Sequence, residues 1–176
     1  TADADALEAA ARGFDAAFLT TPLGEAETAI GLAAVAALRR AGVGRIVYIA
    51  VHNLEAMQAI PHFATKIPVK AAVLGAPGGT VLEPNFFFQN DLLALPAILY
   101  GGVYPMPIGH AGIWSLDASD IASAAAHALL DDAGLGEAVP LCGPEELTGS
   151  AYAANWSQAL GRPVAYPGDA IEPFLG

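Results

Sequence analysis

The chain has 176 residues, a net charge of −11, 55% hydrophobic and only 14% charged residues, which allows one sizeable core and excludes disorder. No apolar run approaches the ~20 residues of a membrane span, and residues 71–161 carry nine acids and no Lys or Arg, which argues against nucleic-acid contact. A single cysteine, Cys142, excludes an internal disulfide and fits a cytoplasmic protein.

The opening TADADALEAAARG begins with Thr, carries no signal peptide and reads as a helix over Asp3–Arg12. FDAAFLTTP, Phe14–Pro22, reads as a buried strand ending in a polar turn. Glu25–Ala41 is an alanine-rich helix with Arg39 and Arg40 in its last turn and Gly42 just past it. RIVYIAV, Arg45–Val51, is a second buried strand, rich in β-branched and aromatic residues. His52–Pro61 reads as a loop and Phe63–Leu74 as a helix that Pro68 delays or bends. After the GAPGG turn, Thr80–Pro84 is a third strand. Asn85 is placed to cap an apolar helix running through NFFFQNDLLALPAIL. Gly101–Gly112 is a Gly/Pro-rich lid or hairpin. Asp117–Asp132 is a second alanine-rich helix, Ala138–Gly143 a short strand, and Leu147–Pro163 a helix starting near Thr148. Strands alternating with helices predict an α/β fold with a parallel sheet.

In such a sheet, ligands sit at the carboxyl ends of the strands. Thr20, Thr21 and Pro22 follow the first strand. Ala50, Val51, His52 and Asn53 close the second. Pro84, Asn85, Phe86 and Phe87 close the third. Singly, such Thr and Asn residues are more often caps. Gathered at one sheet edge, they make a ligand site the better reading. His62 and Lys66 stand four apart in HFATK, so a helix would put them on one face. There an ammonium suits ribose hydroxyls, and a histidine can exchange a proton near neutral pH. A solvated helix face is the plainer alternative.

Other signals fail. GAPGG lacks a third glycine and precedes a strand, where a phosphate loop should follow one. No P-loop and no G-x-S-x-G is present. His52, His62, His110 and His127 show no metal-ligand spacing, so no metal is expected. Each reads as a satisfied loop or core histidine. Cys142 reads as a small buried hydrophobe. Phe86, Phe87 and Phe88 cannot all face one way, so one of them is available to line a pocket.

The ordered series GFDAAFLTTP, AALRRAGVGRIVYIAV, HFATK, TVLEPNFFFQN, SLDASDIASAAAHAL and LCGPEELTGSAYAANWSQALGRPVAY resembles the NmrA-like family. These are atypical short-chain dehydrogenase/reductase relatives with a Rossmann-type NAD(P)-binding domain. The resemblance covers nearly all of Asp3–Tyr166. It implies a Rossmann-like parallel sheet flanked by helices. It implies one partial domain over 1–176, with a small substrate-side portion around 85–115 and 138–176.

The resemblance places Thr20, Thr21 and Pro22 beside the dinucleotide. Ala50, Val51 and His52 stand where typical members carry a catalytic Ser/Thr. Lys66 matches the lysine of the Tyr-x-x-x-Lys pair, where it orients the ribose, and His62 takes the tyrosine position as a proton donor. Pro84, Asn85 and Phe86 match the segment over the nicotinamide and substrate, and Asp120 matches a structural acid. The glycine-rich first strand and its neighbours, which cradle the pyrophosphate, have no counterpart here, and Glu83 stands where an Arg is common. The chain is therefore expected to be an N-terminally truncated part of a longer protein, with NAD(P)(H) bound by the intact parent. The implied activity is reduction of a small carbonyl or quinone-like substrate. The alternative is a non-catalytic NAD(P)-sensing or protein-interaction module, which the missing tyrosine favours. A truncated sheet also exposes an edge, so a homodimer is expected.

Overall fold

The structure is a computed structural model describing residues 3–131 and 136–169. Along the chain run α1 (Ala4–Ala11), β1 (Ala16–Leu19), α2 (Glu27–Arg40), β2 (Arg45–Ile49), α3 (Pro61–Ala64), α4 (Ile67–Leu74) and β3 (Gly79–Pro84). Then come a 3-10 segment (Phe88–Ala94), a π turn (Ala97–Gly101), α5 (Ala118–Leu130), β4 (Ala138–Leu141) and α6 (Gly149–Leu160). The residues form two compact units. One comprises Thr1–Pro84 with Ser119–Leu141, and the other Asn85–Ala118 with Cys142–Gly176.

The first unit holds a four-stranded parallel sheet in the order β1-β2-β3-β4. Strand alternation sorts its side chains to two faces. Ile46, Tyr48 and Val81 pack with Ala34, Val35, Leu38, Val69 and Val73 of α2 and α4. Val47 and Leu82 point the other way, onto Ala125 and Ala128 of α5. Helices thus cover both faces, as a parallel sheet requires. This is the Rossmann-like architecture the sequence leads one to expect. All six residues of β3 are buried, as befits an interior strand.

Close packing fixes α2. A Cβ added at Gly31 would lie 2.5 Å from a Val69 methyl, so the α2–α4 approach depends on glycine there. Asp3 caps α1 by accepting from the Asp5 and Ala6 amides. Thr148 caps α6 by accepting from the Ala151 amide, and Gly161 ends that helix in a left-handed conformation at φ 64°.

Two predicted helices differ from the structure. Phe63–Leu74 is not one helix. It is α3 and α4, broken at Thr65–Lys66, because Pro68 belongs in a first helical turn and the second helix restarts to place it there. Nor does Asn85 cap a helix. Its Oδ1 accepts from the adjacent Phe86 amide at 2.8 Å, and the segment winds as 3-10 and π turns around Pro96. Gly101–Gly112 is irregular rather than a hairpin. It is tied by Val103 pairing with Ala165. The end of the Asp117–Asp132 helix at Asp132 lies outside the described residues.

Candidate functional site

Helix α2 starts one turn beyond the carboxyl end of β1, which brings Glu27 under Thr21. The Glu27 side chain is fully buried. A buried carboxylate needs hydrogen bonds and a counter-charge. Glu27 has both. Its Oε1 accepts from the Lys66 ammonium and from the Thr21 hydroxyl at 2.5 Å, and its Oε2 accepts from the Thr65 hydroxyl at 2.6 Å. Lys66 Nζ also lies 3.5 Å from the Thr21 oxygen. The Thr21 oxygen is 3.2 Å from the phenol of Tyr48, which is itself fully buried. The Thr28 hydroxyl donates to the Thr65 carbonyl at 2.7 Å and locks the break between α3 and α4.

Charge follows from this geometry. Burial pushes the Glu27 carboxyl up, but the Lys66, Thr21 and Thr65 hydrogen bonds outweigh it and hold the group below its ordinary value. Burial pushes the Tyr48 phenol up to about 12. The Thr21 hydrogen bond works against that shift, and the Glu27 charge adds to it. Lys66 and Glu27 form an ion pair whose opposite charges offset one another. The ammonium keeps a hydrogen-bond donor's directionality without a net local charge.

A second cluster lies at β3. Lys70 on α4 donates to Glu83 at 2.5 Å and meets Glu55, in the loop after β2, at 2.7 Å. Burial pushes the Lys70 ammonium down, yet the two carboxylates hold it above its ordinary value. The acid at position 83 is thereby neutralised within the fold.

The expected site residues distribute as follows. Thr20 and Pro22 are exposed directly after β1, and Thr21 is half-buried in the Glu27 cluster. Ala50 is buried and Val51 half-buried after β2. The His52 amide donates to the Pro84 carbonyl at 3.0 Å, which ties the end of β2 to the end of β3. His52 is not a satisfied histidine. Its Nδ1 is buried and finds no partner among the described residues. The next residue, Asn53, is held at φ 56°, a left-handed conformation uncommon outside glycine. Lys66 is buried, whereas His62 is exposed on α3 with its ring edge against Phe63. The two do not share a helix face, because the helix breaks between them. Asn85 and Phe86 are half-buried and open the second unit.

Other expectations need correction. Cys142 is exposed, because β4 ends at Leu141 and the chain leaves the sheet there. Glu27 and Tyr48 were not singled out by sequence. One reads as a first-turn helix acid and the other as strand filling, and the lysine that pairs with Glu27 is 39 positions away.

The second unit has its own polar core. Asp91 is buried and accepts from the Tyr104 hydroxyl at 2.8 Å and the Trp156 indole N–H at 2.7 Å. Tyr152 stacks on Tyr104 at 5.1 Å and donates to Ser115. Burial and the Asp91 hydrogen bond push the Tyr104 phenol far up. Phe88, Asp91, Tyr152, Asn155, Trp156 and Ala159 line an open pocket of about 280 Å³. Phe88 is thus the phenylalanine of the triplet that lines a cavity. Among the described residues no group of three or more His, Cys, Asp or Glu gathers at metal-binding range. No helix among them is long and apolar enough to cross a membrane.

Comparison with known proteins agrees with this architecture. The profile of the NmrA-like family matches residues 1–169. An NAD(P)H azoreductase of Xenophilus azovorans is 32% identical over 172 residues, which is 94% of this chain and 58% of that protein. A (4-alkanoyl-5-oxo-2,5-dihydrofuran-3-yl)methyl phosphate reductase of Streptomyces griseus is 32% identical over 168 residues and is likewise covered to 58%. The chain thus spans under three fifths of these relatives' length. Among solved structures, an NADPH-dependent quinone oxidoreductase from Escherichia coli in complex with NADPH superposes with a TM-score of 0.83 at 22% identity. That match covers 95% of this chain and 59% of the other. A Citrobacter sp. triphenylmethane reductase complexed with NADP(H) gives 0.83 at 18% identity, covering 97% and 61%.

Proposed function

The chain belongs to the NmrA-like family, and from that membership we propose that the whole protein is an NAD(P)H-dependent oxidoreductase acting on a small carbonyl or quinone-like substrate. The observation that carries this reading is the polar cluster at the carboxyl ends of β1 and β2. Such strand ends are where open α/β sheets take ligands. Thr21, Lys66, Glu27 and Thr65 share one hydrogen-bonded cluster, and Thr20 and His52, whose Nδ1 has no partner among the described residues, follow the same two strands. That donor set fits the ribose and nicotinamide end of a dinucleotide. It does not fit a pyrophosphate, because the one cation in it is neutralised by Glu27. The names of the azoreductase and of the quinone and triphenylmethane reductases support the same class of reaction.

NAD(P)H, when bound, supplies the hydride. The chain's residues bind and orient. Lys66, aimed by Glu27 and Thr21, donates to a ribose hydroxyl. Thr20, Thr21, Pro22, Ala50, Val51 and His52 line the cofactor. Pro84, Asn85 and Phe86 keep the nicotinamide and substrate role that the resemblance assigns them, whereas His62, exposed on α3 against Phe63, is left outside the machinery. Titration of the whole protein with NADPH and NADH tests the reading. Saturable binding of at least one is expected, and a folded protein that binds neither overturns it.

A second reading is favoured by one observation. Lys66 is already committed to a carboxylate, and the tyrosine partner of that lysine is absent. A non-catalytic NAD(P)-sensing or protein-interaction module has these properties. Its mark is cofactor binding with no turnover across carbonyls and quinones, together with a co-purifying partner. For the 176-residue chain we also propose a homodimer, formed through the outer edge of β1. Among the described residues that strand pairs only with β2, and Phe14 and Phe18 stand exposed beside it. A cytoplasmic location accords with the single, unpaired cysteine.

A further inference from the structure

We propose that His52, rather than His62, donates the proton to the substrate oxygen. The inference rests on the reductase reading above and assigns within it the step that sequence gave to another residue.

Four observations carry it. The His52 Nδ1 is buried and without a partner among the described residues. Leaving such a group unpaired is costly, so a ligand that pairs it recovers that cost. The residue is rigidly placed, since its amide is bonded to Pro84 and its neighbour Asn53 is held in a left-handed conformation. Strain of this kind gathers at ligand sites. The position is also correct, at the carboxyl end of a central strand of a parallel sheet.

The rival donors are each committed elsewhere. Tyr48 is fully buried, and its phenol lies beside the Thr21 oxygen. Lys66 is bound to Glu27. His62 is exposed on the short α3, against Phe63, and the helix break separates it from Lys66.

The step balances as follows. With a quinone, one carbonyl oxygen gains the nicotinamide's hydride as an O–H bond, the ring becomes aromatic, and the π pair of the opposite carbonyl moves to its own oxygen. The proton on His52 Nδ1 passes to that oxygen, and the imidazolium becomes neutral imidazole. The substrate is reduced by two electrons, the dihydronicotinamide is oxidised by two, and solvent returns the proton to the ring. General-acid assistance of this kind is worth about 10²–10⁴ in rate.

The test uses the full-length protein and duroquinone, whose fully substituted ring cannot add the exposed Cys142 thiol. Without cofactor, the His52 ring resonances, assigned by their loss in His52→Gln, are followed by NMR as duroquinone is added. A saturable shift of His52 with His62 unmoved is expected. With NADPH, His52→Ala is expected to lose about 100-fold in kcat and to regain at least tenfold with added imidazole, while His62→Ala stays within twofold. A purely structural role for His52 would not respond to imidazole. Absence of the duroquinone-dependent shift overturns the inference whether or not NADPH binds. So does an unrescued His52→Ala, or a loss that follows His62→Ala instead. Failure of NADPH to bind at all is a different result and overturns the reductase reading.

Discussion

Glu27 and Lys66, 39 positions apart in sequence, form a buried ion pair in which both carboxylate oxygens accept from side-chain donors. The pair joins the first turn of α2 to the start of α4. A lysine that the NmrA-like pattern reserves for cofactor is here part of the frame of the fold. Loss of activity on removing Lys66 is therefore no proof of a catalytic role, because the frame suffers as well.

Removing one partner strands the other. Lys66→Met leaves the Glu27 carboxylate buried and unpaired, and is expected to cost about 3–5 kcal/mol in urea unfolding. The double variant Glu27→Gln/Lys66→Met is expected to recover a clear part of that loss. A single-variant loss below about 1 kcal/mol, the range of exposed pairs, contradicts the buried pair.

The same pair gives a pH dependence with a definite sign. The Glu27 carboxyl lies below its ordinary value of 4.5 in the folded state. Below that ordinary value the unfolded chain takes up the proton first. The stabilisation is therefore complete above it and is lost as pH falls through the folded value. Stability followed from about pH 5 downward is expected to drop more steeply in the natural protein than in Glu27→Gln. Parallel curves refute this.

Gly31 separates α2 from α4. Gly31→Ala puts a Cβ into the space of a Val69 methyl, and overpacking of this kind costs about 1–3 kcal/mol. Val69→Ala in the Gly31→Ala background is expected to restore part of the melting temperature, although Val69→Ala alone lowers it. Simple additivity of the two losses argues against contact.

In the second unit, Asp91→Ala leaves the Tyr104 hydroxyl and the Trp156 N–H without their acceptor. Each stranded donor costs about 1–3 kcal/mol. Thermal melting followed by tryptophan fluorescence is expected to shift downward, and Asp91→Asn is expected to be the milder change because it keeps an acceptor oxygen. Equal effects of the two variants would show that the acceptor does not matter.

Among the described residues β1 pairs only with β2, and its other edge predicts association of the 176-residue chain. Light scattering is expected to give about twice the 17.9 kDa chain mass, and Phe18→Lys is expected to shift it toward the monomer, since edge charges oppose strand pairing. A strictly monomeric 176-residue chain refutes the dimer.

Much of the fold is legible in local sequence. β2 and α2 stand out because RIVYI and ETAIGLAAVAALRR carry strong strand and helix preferences that their neighbours support. The helix through His62 and Lys66 is misread because a single proline, Pro68, decides where the second helix begins. The helix from Asn85 is misread because the Asn85 side chain turns to its own neighbour. Position along the strands is readable, so sequence puts Thr21 and His52 directly after β1 and β2. Partnership is not. Nothing local says that Glu27 faces Lys66 or that His52 Nδ1 finds no partner among the described residues, because both depend on how distant segments pack.

The Lys70 cluster gives the His52 loop an unequal tether. Its inner link, to Glu83, is shielded by the sheet, whereas the Glu55 side chain is 60% exposed. Mobile ions reach the outer link and hardly touch the inner one. Ionic strength thus acts as a dial on the loop that starts at His52. Salt loosens its grip at Glu55 and leaves β3 and α4 clasped beneath it.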